Sequence, residues 1–294
     1  MQKGLIVSNV SNTYFVETQN ELYEAVARGK FKIDEIVPVV GDRVNLEIID
    51  KENKKAVISE ILERHNYIKR PKIANLDKLI FVLSAKNPKP DLLLLDKQLA
   101  FAEFMEIDAV IVINKIDLEK EEKIKQIEKI YNNIGYKVII TNAKEKYGIK
   151  EVKEILKGHI SAFSGNSGVG KSTLLNAIFE KDLTKEGMIS IKNKKGKNTT
   201  TQVKLYKIDD DSYIADTPGF STFDIYEIES KDLYKYFKEF KELEKECKYV
   251  GCTHIKEEEC GIKNALEKGK IENSRYENYI KIYNDLKDKE EHKW

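Results

Sequence analysis

Cysteine, tryptophan, methionine, proline and arginine are all scarce in this chain of 294 residues: three Cys, one Trp, three Met, five Pro and five Arg. The cysteines stand at 247, 252 and 260. An odd number so closely spaced excludes a disulfide framework and leaves a metal site or reduced structural thiols. No apolar run approaches the ~18 residues needed to span a bilayer, so no membrane partner is expected. The first dozen residues have no long apolar core ahead of a small-residue cleavage site, and a cytoplasmic rather than secreted protein is expected. A net charge of +1 excludes a wholesale polycation, though not a local basic patch. Hydrophobic residues make up 41% of the chain and charged residues 34%, enough for real cores beneath a solvated surface. The length fits one large domain or two to three small ones.

The hydrophobic rhythm changes along the chain. In residues 1–68, Leu5/Val7, Tyr14/Val16 and Val44/Leu46/Ile48 recur at every second position, the period of half-buried strands. Turn signals at Ser11-Asn12, Gly29-Lys30, Gly41-Asp42 and 50–53 divide the segment into about five short strands, which predicts a small closed barrel. From about 77, continuous apolar runs (Leu79–Leu83, Ala109–Ile113, Val138–Ile140, Ile160–Phe163) alternate with helical patterns at 91–104, 124–134 and 149–156. That alternation predicts a parallel sheet covered on both faces, hence an α/β domain over 69–225. Residues 226–294 read as helical. One stripe runs through Leu233, Tyr236, Phe237, Phe240 and Leu243, a second through Tyr276, Tyr279, Ile280, Tyr283 and Leu286, and both are read as core.

Residues Gly165, Asn166, Ser167, Gly168, Val169, Gly170, Lys171 and Ser172 fit G-x-x-x-x-G-K-[ST] between a buried strand and a helix, with Thr173 following. Glycines let backbone N–H groups close around phosphate oxygens, and the helix N-terminus adds its positive end. Lys171 is expected to reach the β- and γ-phosphates and Ser172 to ligate Mg²⁺. Asn114-Lys115-Ile116-Asp117 also ends a predicted strand. A carboxylate at Asp117 accepts from both the ring N–H and the exocyclic amine of guanine, and adenine offers neither donor there. The stem of Lys115 suits the base plane, and Asn114 suits a tie between loops. Ala143, in Thr141-Asn142-Ala143-Lys144, is a candidate to put its N–H on the guanine oxygen. Asp216-Thr217-Pro218-Gly219 fits D-x-x-G, with Asp216 holding Mg²⁺ through water and the Gly219 N–H on the γ-phosphate. Between them lies Asn198-Thr199-Thr200-Thr201, where Thr200, with Thr199 the alternative, is the candidate second Mg²⁺ ligand. Together these parts point to a GTP/GDP site.

Their order is unusual. The base-reading motifs come first, at 114 and 143, and the phosphate loop, threonine run and D-x-x-G follow. That arrangement resembles the circularly permuted GTPases. With the β-rich start and the Cys/His cluster it resembles the RsgA (YjeQ/YloQ) family of small-ribosomal-subunit biogenesis GTPases, as do Val40-Gly41-Asp42, Lys69-Arg70-Pro71 and Ala74-Asn75-Leu76-Asp77. The resemblance implies three parts: an OB-fold β-barrel over 1–68, a circularly permuted P-loop GTPase domain over 69–225, and a helical zinc-binding domain over 226–294. It further implies a monomeric GTP hydrolase of late 30S maturation. Such a protein binds the 30S subunit and its 16S rRNA in the GTP state, is stimulated by the subunit and leaves on hydrolysis. One departure stands out: the family often has His before the threonines, where this chain has Asn198.

Cys247, Cys252, His254 and Cys260 use every cysteine in a Cys₃His set suited to one structural Zn²⁺, the alternative being buried thiols beside a surface histidine. The resemblance favours zinc. From Gly187 to Lys207 there are six Lys and no acid, which suits nucleotide phosphate, rRNA or simple solvation. Tyr14, Phe15, Tyr23 and Phe31 are available for stacking on a nucleic-acid strand, or equally for core packing. A GTP-dependent binding module without turnover and a large-subunit factor are the competing functions. Finally, chain order ties Asp216–Gly219 to the C-terminal helices and the barrel to the base-reading half, which predicts that GTP changes the angle between the zinc domain and the barrel.

Overall fold

The computed structural model describes residues 2–19, 21–29, 37–180, 203–216, 225 and 227–292. Asn198, Thr199, Thr200, Gly219, Phe220 and Phe31 lie outside the described residues. The described residues form two compact units, one from 1–80, 149–164 and 171–221, the other from 81–148, 165–170 and 222–294. These cut across the division by chain order.

The first unit opens with five strands: β1 (Gln2–Val10), β2 (Thr13–Glu17), β3 (Leu22–Ala27), β4 (Arg43–Asp50) and β5 (Lys55–Ile61). β1 pairs with β2, β2 with β3, β3 with β5 in parallel, β5 with β4, and β4 back with β1. The ring is closed, which covers most strand edges, the end of β1 beyond its pairing with β4 excepted. Leu5, Ile6 and Val7 are all buried, so the alternation is lost in β1, and a register break lies between Ile6 and Ser8. Tyr14 and Tyr23 are buried, so core packing claims both, while Phe15 is half-buried.

A hairpin of β6 (Tyr67–Lys69) and β7 (Lys72–Ala74) follows. It packs so closely on Gly41 that a Cβ there would lie 2.0 Å from the Ala74 carbonyl oxygen, and φ is +89°. Only glycine fits. Asn75 donates to the Gly41 carbonyl (2.9 Å), and Arg64 forks onto the buried Asp42 at 2.6 and 2.8 Å. The chain then enters β8 (Lys78–Ser84), whose later residues belong to the second unit.

There α1 (Leu92–Phe104) is capped by the Asp91 carboxylate, which accepts from Leu94 N at 3.0 Å. β9 (Asp108–Asn114), α2 (Glu121–Asn133) and β10 (Lys137–Ile140) follow, and β10 lies parallel to β9, which sits beside β8. α3 (Ile149–Leu156), β11 (Ile160–Ser164) and α4 (Lys171–Phe179) belong to the first unit, as do β12 (Lys204–Asp209) and β13 (Ser212–Asp216). β11 is parallel to β13, and β12 pairs antiparallel with β13 and, at Lys204 opposite Ser8, with barrel strand β1. β12 was read only as part of a basic run. Its pairing with the barrel follows from no local pattern.

The C-terminal segment differs from expectation in two ways. The first aromatic stripe lies on successive 3₁₀ turns (Ser230–Tyr236, Lys238–Phe240, Leu243–Glu246), not on an α-helix, and Leu233, Phe237 and Phe240 are its fully buried members. After α5 (Gly261–Glu267), the long α6 (Asn273–Glu291) buries Arg275, Asn278, Tyr279, Ile282 and Leu286. Its buried face is therefore rotated from the predicted stripe toward two polar residues, and the reason is their partner. The buried Asp96 of α1 accepts from Arg275 (2.5 Å), Asn278 (2.7 Å) and Tyr131 (2.8 Å). Arg275 also forks onto Glu239, and Lys97 pairs with Asp285 at 2.9 Å. Burial pushes the Asp96 carboxyl up, while Arg275 and the hydrogen bonds pull it down. Burial works against the Arg275 guanidinium, yet Asp96 and Glu239 hold it charged well above its ordinary value.

Candidate nucleotide and metal sites

Asn114 is the hub of the base-reading half. It ends β9 and is buried, because its strand runs between β8 and β10. Its Oδ1 accepts from the Thr141 hydroxyl and the Ala143 N–H, each at 3.1 Å, and its Nδ2 donates to the Val169 carbonyl at 3.0 Å. One side chain thus fastens the loop after β9, the loop after β10 and the phosphate loop. Lys115 adds a second tie. Its backbone is left-handed (φ 61°), and its ammonium donates to the carbonyls of Asn87 (2.7 Å) and Gly168 (2.5 Å). The phosphate loop is therefore held in shape by the base-reading residues themselves.

The glycines of the loop are required by this closeness. A Cβ on Gly165 would lie 2.3 Å from the Val82 carbonyl oxygen, and one on Gly170 would lie 2.2 Å from Asn114 Nδ2. Val169 is buried and points the loop inward, whereas Ser167 and Gly168 are exposed and Asn166 half-buried. Lys171 is the first residue of α4, with Ser172 and Thr173 exposed on the same first turn. Burial pushes the Lys171 ammonium below its ordinary value. A partly desolvated cation at a helix N-terminus is suited to phosphate, because a bound polyanion restores what water no longer supplies.

Asp117 is exposed on the 3₁₀ turn Ile116–Leu118, open to a base. The N–H of Ala143, nominated for the guanine oxygen, is taken up by Asn114 and serves the loop in this structure. Asp216 closes β13, so that D-x-x-G begins at a strand end.

In the same unit as the base-reading loops, Cys247, Cys252, His254 and Cys260 bring their donor atoms within 4.8 Å of one another. A tetrahedral Zn²⁺ with Zn–S of about 2.3 Å and Zn–N of about 2.0 Å spaces sulfurs about 3.8 Å apart and sulfur from nitrogen about 3.6 Å. Cys247 and Cys260 sulfurs are 3.9 Å apart, and His254 Nδ1 lies 3.5 and 3.4 Å from them. The residues fit the ion. Burial pushes the Cys252 thiol up to about 12 and His254 down to about 4, so in the metal-free cluster that thiol keeps its proton and the imidazole is neutral.

Two supports of this cluster escaped the sequence reading. Glu257 accepts from Thr253 N (2.8 Å), Thr253 Oγ1 (2.9 Å), Ile255 N (3.0 Å) and Lys256 N (3.1 Å). Burial alone would raise its carboxyl, but these donors hold it down at about 2. Tyr276 and Tyr279 of α6 donate to the carbonyls of His254 (2.7 Å) and Thr253 (2.8 Å). Three consecutive glutamates, 257 to 259, gave no signal for choosing the first. The tyrosines had registered only as apolar bulk.

Fold and site together define a circularly permuted P-loop GTPase with an N-terminal OB-type barrel and a C-terminal Cys₃His module. A family model described as RsgA GTPase matches residues 61–226, and one described as RsgA N-terminal domain matches residues 3–58. The chain belongs to the RsgA GTPase family and is a GTP hydrolase. It is 38% identical over 287 residues to the small ribosomal subunit biogenesis GTPase RsgA of Alkaliphilus metalliredigens, covering 98% of each chain. To the protein of the same name from Ruminiclostridium cellulolyticum it is 41% identical over 290 residues, covering 98% of this chain and 95% of that one. The crystal structure of YjeQ from Thermotoga maritima superposes with a TM-score of 0.85 at 40% identity, over 97% of this chain and 98% of that one. YloQ, described as a circularly permuted GTPase, gives 0.83 at 31% identity, over 98% and 96%.

Proposed function

We propose that this GTPase acts in late maturation of the 30S ribosomal subunit, as a cytoplasmic monomer. It binds the subunit and its 16S rRNA in the GTP state, is stimulated by it and leaves on hydrolysis. What carries the ribosomal reading is the relatives named small ribosomal subunit biogenesis GTPase, which match 98% of this chain. The nucleotide part rests on Asn114, one buried side chain joining both base-reading loops to the phosphate loop.

In this reading the N–H groups of Gly165–Gly170 and the Lys171 ammonium hold the β- and γ-phosphates. The Ser172 hydroxyl and Thr200, or Thr199 in its place, hold Mg²⁺, which neutralises charge on the phosphates. Asp216 acts through a water, and the Gly219 N–H senses the γ-phosphate. Asp117 reads guanine, with the Lys115 stem along the base and the Ala143 loop beside it. Cys247, Cys252, His254 and Cys260 hold one structural Zn²⁺, which adds folding energy to the C-terminal segment. The residue after D-x-x-G is Phe220. Where many GTPases have a water-orienting glutamine, a phenyl ring has no hydrogen bond to offer. The subunit then completes the site.

Sedimentation with purified 30S subunits tests this. With a non-hydrolysable GTP analogue the chain is expected to pellet with the subunit, and with GDP to remain largely in the supernatant. Equal distribution in both states contradicts the cycle.

A further inference from the structure

Among the described residues from 225 onward, the large hydrophobic side chains that stand exposed are two neighbours, Tyr249 and Val250. Val250 is 107% exposed, more than in an open peptide, and Tyr249 is 51% exposed. They form the tip of the loop between two cluster ligands, Cys247 and Cys252. Its first end is fastened, Lys248 N donating to the Glu259 carbonyl (3.2 Å) and Gly261 N to the Cys247 sulfur (3.3 Å), and at the other end Gly251 turns the chain back at φ +74°. The span between the two ligands is short, which limits the ordering entropy lost on contact.

The surroundings carry a net negative charge, although the Lys248 ammonium lies 5.6 Å from the Tyr249 ring centroid. From Glu242 to Glu259 there are six Glu and three Lys. Lys245 and Lys248 are already paired, with Glu242 and Glu259. Glu246 and Glu258 are exposed. Three thiolates on a divalent ion would add a further net negative charge. A phosphate backbone is repelled by such a surface, whereas nucleic-acid sites are basic. An aromatic anchor in surroundings of net negative charge suits a protein partner of the opposite sign.

We propose that the Tyr249–Val250 tip is a protein-docking knob. It seats in an apolar depression of a Lys/Arg-rich protein surface on the maturing subunit, with Glu246 and Glu258 meeting the surrounding cations. This rests on the reading that the chain binds the 30S subunit. It divides the work between surfaces, because the Cys₃His tip then grips protein and not rRNA.

The test compares wild type, the double variant Tyr249→Ser/Val250→Ser and the single variant Glu258→Lys, whose side chain makes none of the loop's hydrogen bonds. Each is titrated against intact 30S subunits and against protein-free 16S rRNA, with zinc content and GTP affinity measured alongside. Expected are a loss of affinity of roughly tenfold or more for intact subunits with the double variant, a smaller loss with Glu258→Lys, and no loss on protein-free rRNA for either. Unchanged affinity of both variants for intact subunits overturns the proposal. So does an equal loss on protein-free rRNA, or a gain with Glu258→Lys on intact subunits, since both mark RNA as the partner. If the double variant loses zinc, Glu258→Lys decides alone. Failure of the wild type to bind intact subunits removes the 30S reading, and the knob with it.

Discussion

Gly170 and Asp117 show at single residues how the site is built. Gly170 sits at φ +106° with the Asn114 amide 2.2 Å from where a Cβ would be. Gly170→Ala must push that amide away, and with it the tie to Val169. Nucleotide affinity is expected to fall at least about tenfold, read with a fluorescent GTP analogue, because strained backbone and lost packing act together. Asp117 carries a different burden, selectivity. Asp117→Asn keeps the shape and exchanges an acceptor for a donor, so the preference for GTP over ATP should shrink by ~10²-fold or more. Competition binding with both nucleotides measures it, and an unaltered preference refutes the role. Both residues were legible in the sequence as motif members. That the Ala143 N–H donates to Asn114 was not, because it depends on how close three loops lie.

At the scale of elements, α6 joins two things that chain order keeps apart. One face holds the carbonyls of Thr253 and His254 through Tyr279 and Tyr276, and the next holds Asp96 of α1 through Arg275 and Asn278. Arg275→Met leaves Asp96 and Glu239 buried without their cation. Breaking such a pair costs about 3–5 kcal/mol, which denaturant unfolding of the whole chain should register. A variant of unchanged midpoint would show the network to be dispensable. Zinc removal tests the same helix from its other end. A chelator is expected to loosen 247–260 and to raise protease cleavage there, and zinc affinity is expected to climb with pH because thiol protons must leave. Chelation with no change in cleavage would mean that hydrogen bonds alone hold the loop. Most elements between 78 and 179 were readable to within a residue or two, since buried parallel strands and amphipathic helices have strong periods. The 3₁₀ turns from 230 to 246 were not. Leu233, Phe237 and Phe240 keep helix-like spacing while their backbone follows the packing around Tyr279.

For the whole molecule, covalent order and packing point in opposite directions. Chain order suggested that the Cys₃His module follows the D-x-x-G loop and that the barrel follows the base-reading half. Packing fixes the module to α1 of the base-reading half, and pairs barrel strand β1 with β12, which leads into β13 and Asp216. Labels at the exposed Lys129 and Lys287, on α2 and α6, should therefore keep one distance distribution with GDP and with a GTP analogue. A state-dependent change would contradict this packing. Dependence of this GTPase on the small subunit is measured by its turnover rate alone, with 30S and with 50S particles. Hydrolysis is expected well below about 1 s⁻¹ alone, with strong stimulation by 30S and none by 50S. A fast unassisted rate, or equal rates with both particles, would show that the subunit is not required.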